Sequence, residues 1–281
     1  MRYLHLPDDE DRPRLAALVE DRVVDLAGVI PGTRSIDDLV RAGPEVWERV
    51  RTAAQARVAG ASQDPPSGPL PPLLARSPKI VAMEPRRTGE PAMFAKFPSS
   101  LAGPGMPISW PTDVTRRVAG QAKLGVIVGR RLRRASPDEC LDGVFGYTAA
   151  NDLTARDLQD PDGQWTRGKN LDGFCPIGPL IVTADECEDP QGLRISTYIN
   201  SVVMQESSMD DMNVSLADLL SYASWSFTLH PGDLLLIGAP EAAGASRGAP
   251  AFLSPGDEVT VSIEGIGDLT NPVLPHLEEA S

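Results

Sequence analysis

Residues 146–179 constrain this chain most, because GYTAANDLTARDLQDPDGQWTRGKNLDGFCPIGP crowds charged, aromatic and turn-forming residues into one short stretch. Asp152 and Arg156 are four positions apart, so a short helix over residues 154–159 would place them on one face, with Gln159 following on that face. One interpretation is a helix salt bridge beside a polar loop, and surface pairs of that kind contribute little stability. The other is a functional cluster, because these residue types suit chemistry better than packing.

Two motifs in this stretch resemble the signature of the fumarylacetoacetate hydrolase family. The run from Asn151 to Gln159 is similar to the family's Asn-Asp-x-(Ser/Thr)-Ala-Arg-Asp-x-Gln motif. The run from Lys169 to Pro179 is similar to its Lys-x-x-Asp-x-Phe-x-Pro-x-Gly-Pro motif. The similarity extends over about residues 78–273 with the motifs in order, so the chain is identified as a divergent member of that family.

The resemblance implies an α+β fold that is mainly β. The expected architecture is a mixed β-sandwich roll with short flanking helices, preceded by a small N-terminal domain. Residues 1–70 are assigned to that small α/β domain, and the Pro-, Gly- and Ser-rich segment that continues to about residue 78 predicts a linker. Residues 79–281 then form the catalytic-type domain.

In this family three carboxylates hold magnesium or calcium, and the metal polarises the enolisable oxygens of a β-dicarbonyl or 2-oxo acid. The resemblance implies that Asp152 is one of these ligands, and that Arg156, Gln159 and Lys169 stabilise the developing enolate. It also implies substrate contacts from five further positions: Lys96 in a Phe-x-Lys strand, Gln121, Ser99, Phe174 and Ala239.

The other two metal-ligand positions of the family are occupied here by Gln121 and Lys123. Strand alternation predicts that both side chains point to one face, toward the pocket. An ammonium about 4 Å from a dication is repelled by about 8 kcal/mol at an effective dielectric near 20. We therefore expect no metal cofactor, whether magnesium or calcium, and expect Lys123 to replace the metal as a cation paired with Asp152.

The family's lid is also missing from the segment MEPRRTGEPAMFAKF, residues 83–97. Relatives have a Gly-x-Asn-Tyr run there, followed by a short helix that carries a His and a Glu. Glu84 and Glu90 remain, but neither has the family spacing, and Ala239 replaces a Thr that is usually near the substrate. Without a metal and a lid to activate water, the site is poorly equipped for hydrolysis.

These residues predict an enzyme whose catalytic groups are Lys123, Asp152, Arg156, Gln159 and Lys169. Its substrate would be an anionic, enolisable β-dicarbonyl or 2-oxo acid, and the reaction a decarboxylation, tautomerisation, carbon–carbon lysis or cyclisation through an enolate, with secondary metabolism favoured. A desolvated Lys123 could instead act as a base or a Schiff-base nucleophile. Two alternatives remain open: a catalytically inactive binding or scaffold protein, and a metal-dependent carbon–carbon hydrolase with atypical ligands.

The composition of the chain limits the classes of partner that it can be expected to bind. A net charge of -13 argues against nucleic acid and against an anionic membrane surface. No stretch approaches the roughly 18 apolar residues of a membrane span, and the N-terminus lacks an apolar signal region, so we expect a cytoplasmic protein. The resemblance implies a homodimer.

Only four of the 26 basic residues are lysine, the type that can lose its proton when desolvated, and three of them lie in or beside the motifs above.

Overall fold

The computed structural model describes residues 1–8, 10, 12–61, 79–86, 89–238 and 252–276. The strands within these residues are β1 Arg2–Pro7, β2 Pro13–Val19, β3 Arg22–Asp25, β4 Ile80–Glu84, β5 Ala92–Lys96, β6 Leu101–Ala102, β7 Val118–Ala119, β8 Ala122–Val128, β9 Val144–Asn151, β10 Thr154–Ala155, β11 Cys175–Thr183, β12 Arg194–Ile199, β13 Val202–Ser208, β14 Leu234–Gly238, β15 Glu258–Ile263 and β16 Gly267–Pro272. The α-helices are α1 Ile36–Ala42, α2 Pro44–Arg57, α3 Pro137–Asp142, α4 Arg156–Asp162, α5 Thr166–Lys169 and α6 Leu216–Ser226.

Most strands belong to one large mixed sheet. Its order is β3-β2-β1-β11-β9-β8-β14-β4-β5, with β6 alongside β11. Strands β13-β12-β15-β16 form a second sheet, and β7 pairs with β10 in a short ribbon. The expected mainly-β α+β fold with short helices is therefore what the chain adopts.

The large sheet is covered on both faces. On one face, Leu124 of β8 packs in a cluster with Val261 of the second sheet and Leu219 of α6. On the other, Ile127 of β8 packs in a cluster with Leu39 of α1 and other residues of the N-terminal helices. Because side chains alternate along a strand, the positions of these two residues show which face of the sheet each other side chain of β8 points to.

The N-terminal strands continue the large sheet. Arg2 of β1 pairs with Val182 of β11, and β2 and β3 extend the sheet outward from β1. The chain turns between β2 and β3 at Glu20 and Asp21, which have left-handed φ values of 50° and 59°. The predicted linker falls mainly on residues 62–78, outside the described residues, so the domain boundary stays a prediction.

Both N-terminal helices begin at residues that favour a helix start. The Ser35 side chain accepts a hydrogen bond from the backbone of Asp38, whose carboxylate accepts from Ser35 in return, which caps α1. Pro44 occupies the first position of α2, where its missing N–H has no cost. None of the helices in the described part of the chain has the length and apolar character of a bilayer-spanning segment.

Candidate functional site

Three neighbouring strands place Glu84, Gly238 and Lys123 side by side at one end of the large sheet. Strand β14 pairs in parallel with β4, with Ile237 opposite Met83, so Gly238 follows beside Glu84. On its other side β14 pairs with β8 in antiparallel fashion, and Gly238 lies opposite Lys123. A Cβ atom on Gly238 would lie 2.3 Å from the Lys123 Nζ. The ammonium group therefore occupies space that only glycine leaves free.

Lys123 reaches across this glycine to Glu84. Its Nζ donates to Oε1 of Glu84 at 3.3 Å, and its side chain is fully buried while that of Glu84 is 29% exposed. The expected pairing of Lys123 with Asp152 is therefore corrected: the absent side chain of Gly238 lets Lys123 extend along the row of strands instead. An ammonium group has three donors, and this is the hydrogen bond it makes within the described residues, so donor capacity remains.

Asp152 follows directly after β9 and holds two other lysines. Its backbone N–H donates to the carbonyl of Gln121 at 2.9 Å, and the backbone N–H of Gln121 donates to Oδ1 of Asn151 at 3.1 Å. The Asp152 carboxylate accepts from Lys96 Nζ at 2.9 Å on Oδ1 and from Lys169 Nζ at 2.6 Å on Oδ2. All three side chains are essentially inaccessible to solvent, so both carboxylate oxygens are committed to ammonium groups.

The two lysines around Asp152 also fix each other. Lys96 Nζ donates to the backbone carbonyl of Lys169 at 2.5 Å. The Lys169 Nζ lies 4.8 Å from the centroid of the Phe94 ring, which in turn packs edge-on against Trp165 with centroids 5.0 Å apart. A cation over an aromatic face is attracted to it, most strongly where water is excluded. The Lys169 ammonium thus has the Asp152 carboxylate and the Phe94 ring as neighbours, and Oε1 of Glu84 lies 4.0 Å away.

Electrostatics keep both carboxylates of the site ionised. Burial alone would raise the pKa of Asp152, but Lys169, Lys96 and Lys123 outweigh it, and the pKa lies well below its ordinary value. Burial likewise opposes the charge of Glu84, and Lys123 and Lys169 again outweigh it, so the pKa of Glu84 is lowered. Burial lowers the pKa of Lys169 to about 8, although Asp152 opposes this shift.

Arg156 and Gln159 form a separate pair on α4. The helix expected over residues 154–159 begins later, at Arg156, because residues 154–155 form a strand with β7; Asp152 therefore lies outside the helix. Arg156 Nη1 donates to Oε1 of Gln159 at 3.1 Å, and the buried Nε of Arg156 has no partner among the described residues. Arg156 and Gln159 therefore share one face of α4 as expected, whereas Asp152, expected on that face, belongs to the lysine cluster.

The other predicted substrate contacts are Gln121, whose backbone carbonyl accepts from Asp152 as described, and Ser99, Phe174 and Ala239. The backbone carbonyl of Ser99 accepts from the N–H of Gly173 at 3.3 Å. Phe174 is fully buried and packs edge-on against Trp110, with ring centroids 6.4 Å apart. Ala239 falls outside the described residues. The structure therefore brings together Lys96, Lys123, Asp152 and Lys169, and it adds Glu84, which the sequence reasoning had set aside.

This donor set does not fit a hard divalent cation. Both oxygens of Asp152 already bond ammonium groups, and Lys123 contributes a positive charge where a ligand would have to be negative or neutral. In the described part of the chain no three His, Cys, Asp or Glu side chains are grouped to hold a metal ion. Magnesium and calcium need several oxygen ligands, which these residues do not supply.

Comparison with known proteins places the chain among proteins of one family. The family model "Fumarylacetoacetate (FAA) hydrolase C-terminal" matches residues 74–274. Oxaloacetate tautomerase fahd2, mitochondrial, of Xenopus laevis is 38% identical over 187 residues, which are 66% of this chain and 58% of that protein. Oxaloacetate tautomerase YisK of Bacillus subtilis is 36% identical over 183 residues, 65% of this chain and 61% of that protein. The aligned part thus spans less than two thirds of the length of these relatives.

Solved structures match over nearly the whole chain. The fumarylacetoacetate hydrolase EaFAH from Exiguobacterium antarcticum superposes with a TM-score of 0.86 at 30% identity, covering 98% of this chain and 100% of that one. Maleylpyruvate hydrolase from Sphingobium sp. SYK-6, in complex with manganese (II) ion and pyruvate, superposes with a TM-score of 0.79 at 26% identity, covering 99% and 100%. These matches confirm the fold expected from the signature motifs.

Proposed function

Because this chain belongs to the fumarylacetoacetate hydrolase family, we propose that it is an enzyme that interconverts the keto and enol forms of an anionic 2-oxo acid such as oxaloacetate. One observation carries the proposal: within the described residues the buried ammonium group of Lys123 makes one hydrogen bond, of 3.3 Å, which leaves donors for a ligand. The names of the curated relatives supply the substrate class.

The charge count of the cluster supports an anionic ligand. Lys96, Lys123 and Lys169 bring three ammonium groups, and Glu84 and Asp152 bring two carboxylates, which leaves one positive charge in a protein of net charge -13. A local positive charge in a buried site attracts small anions. The negative charge of a 2-oxo acid would offset it.

Enolisation moves negative charge onto the former ketone oxygen, and fixed cations stabilise that charge. The Lys123 and Lys169 ammonium groups lie 3.3 and 4.0 Å from the same oxygen of Glu84, so both can face one bound ligand. Removing a preorganised donor of this kind typically costs about 3–4 kcal/mol of transition-state stabilisation. Asp152 has both oxygens engaged, so its role is to position Lys96 and Lys169.

The proposal includes independence from a divalent metal. In metal-dependent enzymes the ion acts as a Lewis acid on the substrate oxygens. Here the lysine ammonium groups would supply that stabilisation, which agrees with a donor set that suits an anion better than a cation. Hydrolysis would also lack the metal and the His/Glu lid that serve to activate water in the family, so proton transfer is the chemistry that the site serves best.

Alanine substitutions of the site lysines test the proposal. Lys123→Ala and Lys169→Ala should each slow the enol-to-keto conversion of oxaloacetate roughly 100-fold, followed by the ultraviolet absorbance of the enol. Lys79→Arg, which changes a lysine that pairs with Asp233 away from the cluster, should leave the rate near that of the wild type. Unchanged rates in both alanine variants would contradict the proposed function.

An inactive binding protein is the second candidate. Both carboxylate oxygens of Asp152 are bonded to lysines, and Lys96 and Lys169 are almost completely buried. These contacts would also suit a purely structural network, which favours this candidate. Such a protein would bind a 2-oxo acid in calorimetry without changing its tautomerisation rate. Decarboxylation, carbon–carbon lysis and cyclisation stay predictions, as do the cytoplasmic location and the homodimer, which sedimentation velocity would measure.

A further inference from the structure

Glu84 is the site carboxylate that stays open to a ligand. Its side chain is 29% exposed, whereas that of Asp152 is inaccessible. Its contacts with Lys123 and Lys169 both involve Oε1, and Oε2 has no partner among the described residues. One oxygen of Glu84 is therefore anchored and the other is available.

The contacts of Oε1 hold the Glu84 carboxylate at a defined place in the site. The carboxylate ends β4 beside Gly238, and the Lys123 ammonium lies in the space over that glycine. Lys169 approaches the same oxygen from the Asp152 side at 4.0 Å. A carboxylate held next to two enolate-stabilising cations is where a base for the same substrate has to be, since base and cations must reach adjacent atoms.

Other candidate bases in this part of the chain are already engaged or remain protonated. Both oxygens of Asp152 accept hydrogen bonds from ammonium groups. Burial raises the pKa of the Cys175 thiol to about 12. His5 lies in the N-terminal strand and its Nε2 accepts from the backbone N–H of Ile36 at 2.9 Å. Among these groups, Glu84 is ionised, is partly exposed to solvent, and has one carboxylate oxygen without a hydrogen bond in the described part of the chain.

We propose that Glu84 is the general base that removes the proton from the carbon next to the ketone, a role that rests on the proposed function. Oε2 takes the proton, the C–H electron pair forms the carbon–carbon double bond, and the carbonyl pair moves to oxygen. Lys169 then gives a proton to that oxygen and the enol forms. The proton on Glu84 passes to Lys169, whose Nζ lies 4.0 Å from the other carboxylate oxygen, Oε1, and this restores both groups; the reaction is an isomerisation and needs no co-reactant.

Proton exchange isolates this step from the rest of turnover. In deuterated water the wild-type enzyme should exchange the protons next to the ketone of oxaloacetate, measured by NMR above the uncatalysed rate. Glu84→Gln keeps an oxygen acceptor for Lys123 but loses the base, so exchange and kcat should each fall about 100-fold or more, with KM within about threefold. Glu84→Asp should retain an intermediate rate. Glu90→Gln, on the same segment but hydrogen-bonded to Tyr222, should match the wild type.

Each possible result decides the role of Glu84. Exchange by Glu84→Gln at the wild-type rate would overturn it and leave the tautomerase function standing. A wild-type protein without exchange would remove the proposed function, and the role of Glu84 with it. Calorimetry with oxalate, a stable enolate mimic, separates a chemical from a structural role. If Glu84→Gln binds oxalate with an affinity within about threefold of that of the wild type, the role of Glu84 as a base is supported. If its oxalate affinity falls in parallel with its rate, that role is overturned.

Discussion

Lys123 Nζ donates to Oε1 of Glu84 at 3.3 Å, and the two side chains meet over Gly238, which lies on the strand between theirs. This contact replaces the pairing with Asp152 that was expected if Lys123 took the place of the metal. It also divides the cluster into two parts that Lys169 joins, since Lys169 contacts Asp152 at 2.6 Å and Glu84 at 4.0 Å. Asp152 organises the lysines, and Glu84 faces the outside.

Gly238→Ala should disturb Lys123 without changing any charge. The new methyl group would lie 2.3 Å from the Lys123 Nζ, so the ammonium has to move. We expect a loss of about 1–3 kcal/mol in the free energy of unfolding, typical of overpacking, and a parallel loss of turnover. Urea unfolding and the tautomerase assay measure these two effects. Gly60→Ala, where nothing lies within 4 Å of the added atom, is the matched control, and equal behaviour of both variants would contradict the expectation.

Asp152→Asn should destabilise the fold strongly. The substitution leaves the buried ammonium groups of Lys96 and Lys169 without their counter-ion, which typically costs about 3–5 kcal/mol. Urea unfolding at neutral pH measures the loss, and Asp25→Asn, which removes the partner of Arg14 in an exposed ion pair, should cost less.

The acid dependence of stability gives a second measurement on Asp152. Its folded-state pKa is lowered, so its stabilisation is complete above the unfolded value of about 3.9 and is lost as the pH falls below it. Asp152→Asn should lack this part of the acid dependence. A variant that unfolds at the same urea concentration as the wild type at every pH would show that the carboxylate does not hold the cluster.

Lys169 should give activity an alkaline limit. The pKa of its ammonium group is lowered to about 8 in the folded protein, so kcat/KM should fall as the pH rises through about 8. Lys169→Arg keeps the charge but cannot release a proton, so it should lose most of its turnover at every pH, whereas Lys79→Arg should leave the fall in place. A wild-type profile that stays flat across this range would contradict the assignment.

Whereas activity should fall as the pH rises, the contribution of Lys169 to stability should increase. The folded-state pKa of Lys169 is about 8, below the ordinary value of 10.5, so the unfolded chain binds more protons between these two values. The contribution of Lys169 to the free energy of unfolding therefore rises with pH across this window. Urea unfolding of the wild type and of Lys169→Met at two pH values in the window measures the difference, and equal pH dependence would argue against a lowered pKa.

Metal titration tests whether side-chain cations replace a bound ion. Calorimetry of the wild type with magnesium, manganese and calcium salts should show no stoichiometric binding, since Lys123 repels a dication and Asp152 is engaged. Lys123→Glu removes that repulsion and adds an oxygen ligand, so this variant should gain affinity for a divalent ion. A tight wild-type site that disappears in Asp152→Asn would refute metal independence.

Local sequence was enough to predict those parts of the fold that depend on neighbours in the chain. The cap at Ser35, the proline at the start of α2 and the break at Glu20 each need only a few adjacent residues. The start of α4 was missed, because residues 154–155 pair with β7, a partner more than 30 positions earlier. Strand competition of this kind is not visible in a helical pattern of charges.

The site was predictable where family motifs cover it and not where the chain departs from them. Asp152 and Lys169 lie within the two signature runs and were found. Glu84 was set aside because its spacing matched no motif. Its partner Lys123 is 39 positions away, and the gap that lets them meet is provided by Gly238, on a third segment. The signal was the joint appearance of a glutamate at the end of β4 and a lysine at a metal-ligand position.

The pairing of β1 with β11 sets a condition on how the protein is made. The first strand leaves the ribosome early, but its partner around Val182 is synthesised only after most of the chain has emerged. Until then β1 can pair only with β2, on its other side, and contacts as distant in sequence as those with β11 form slowly. A piece that begins at residue 79 would lack β1 and carry a bare strand edge along β11, which invites association between molecules. Completion of the large sheet thus depends on a contact between segments far apart in the chain.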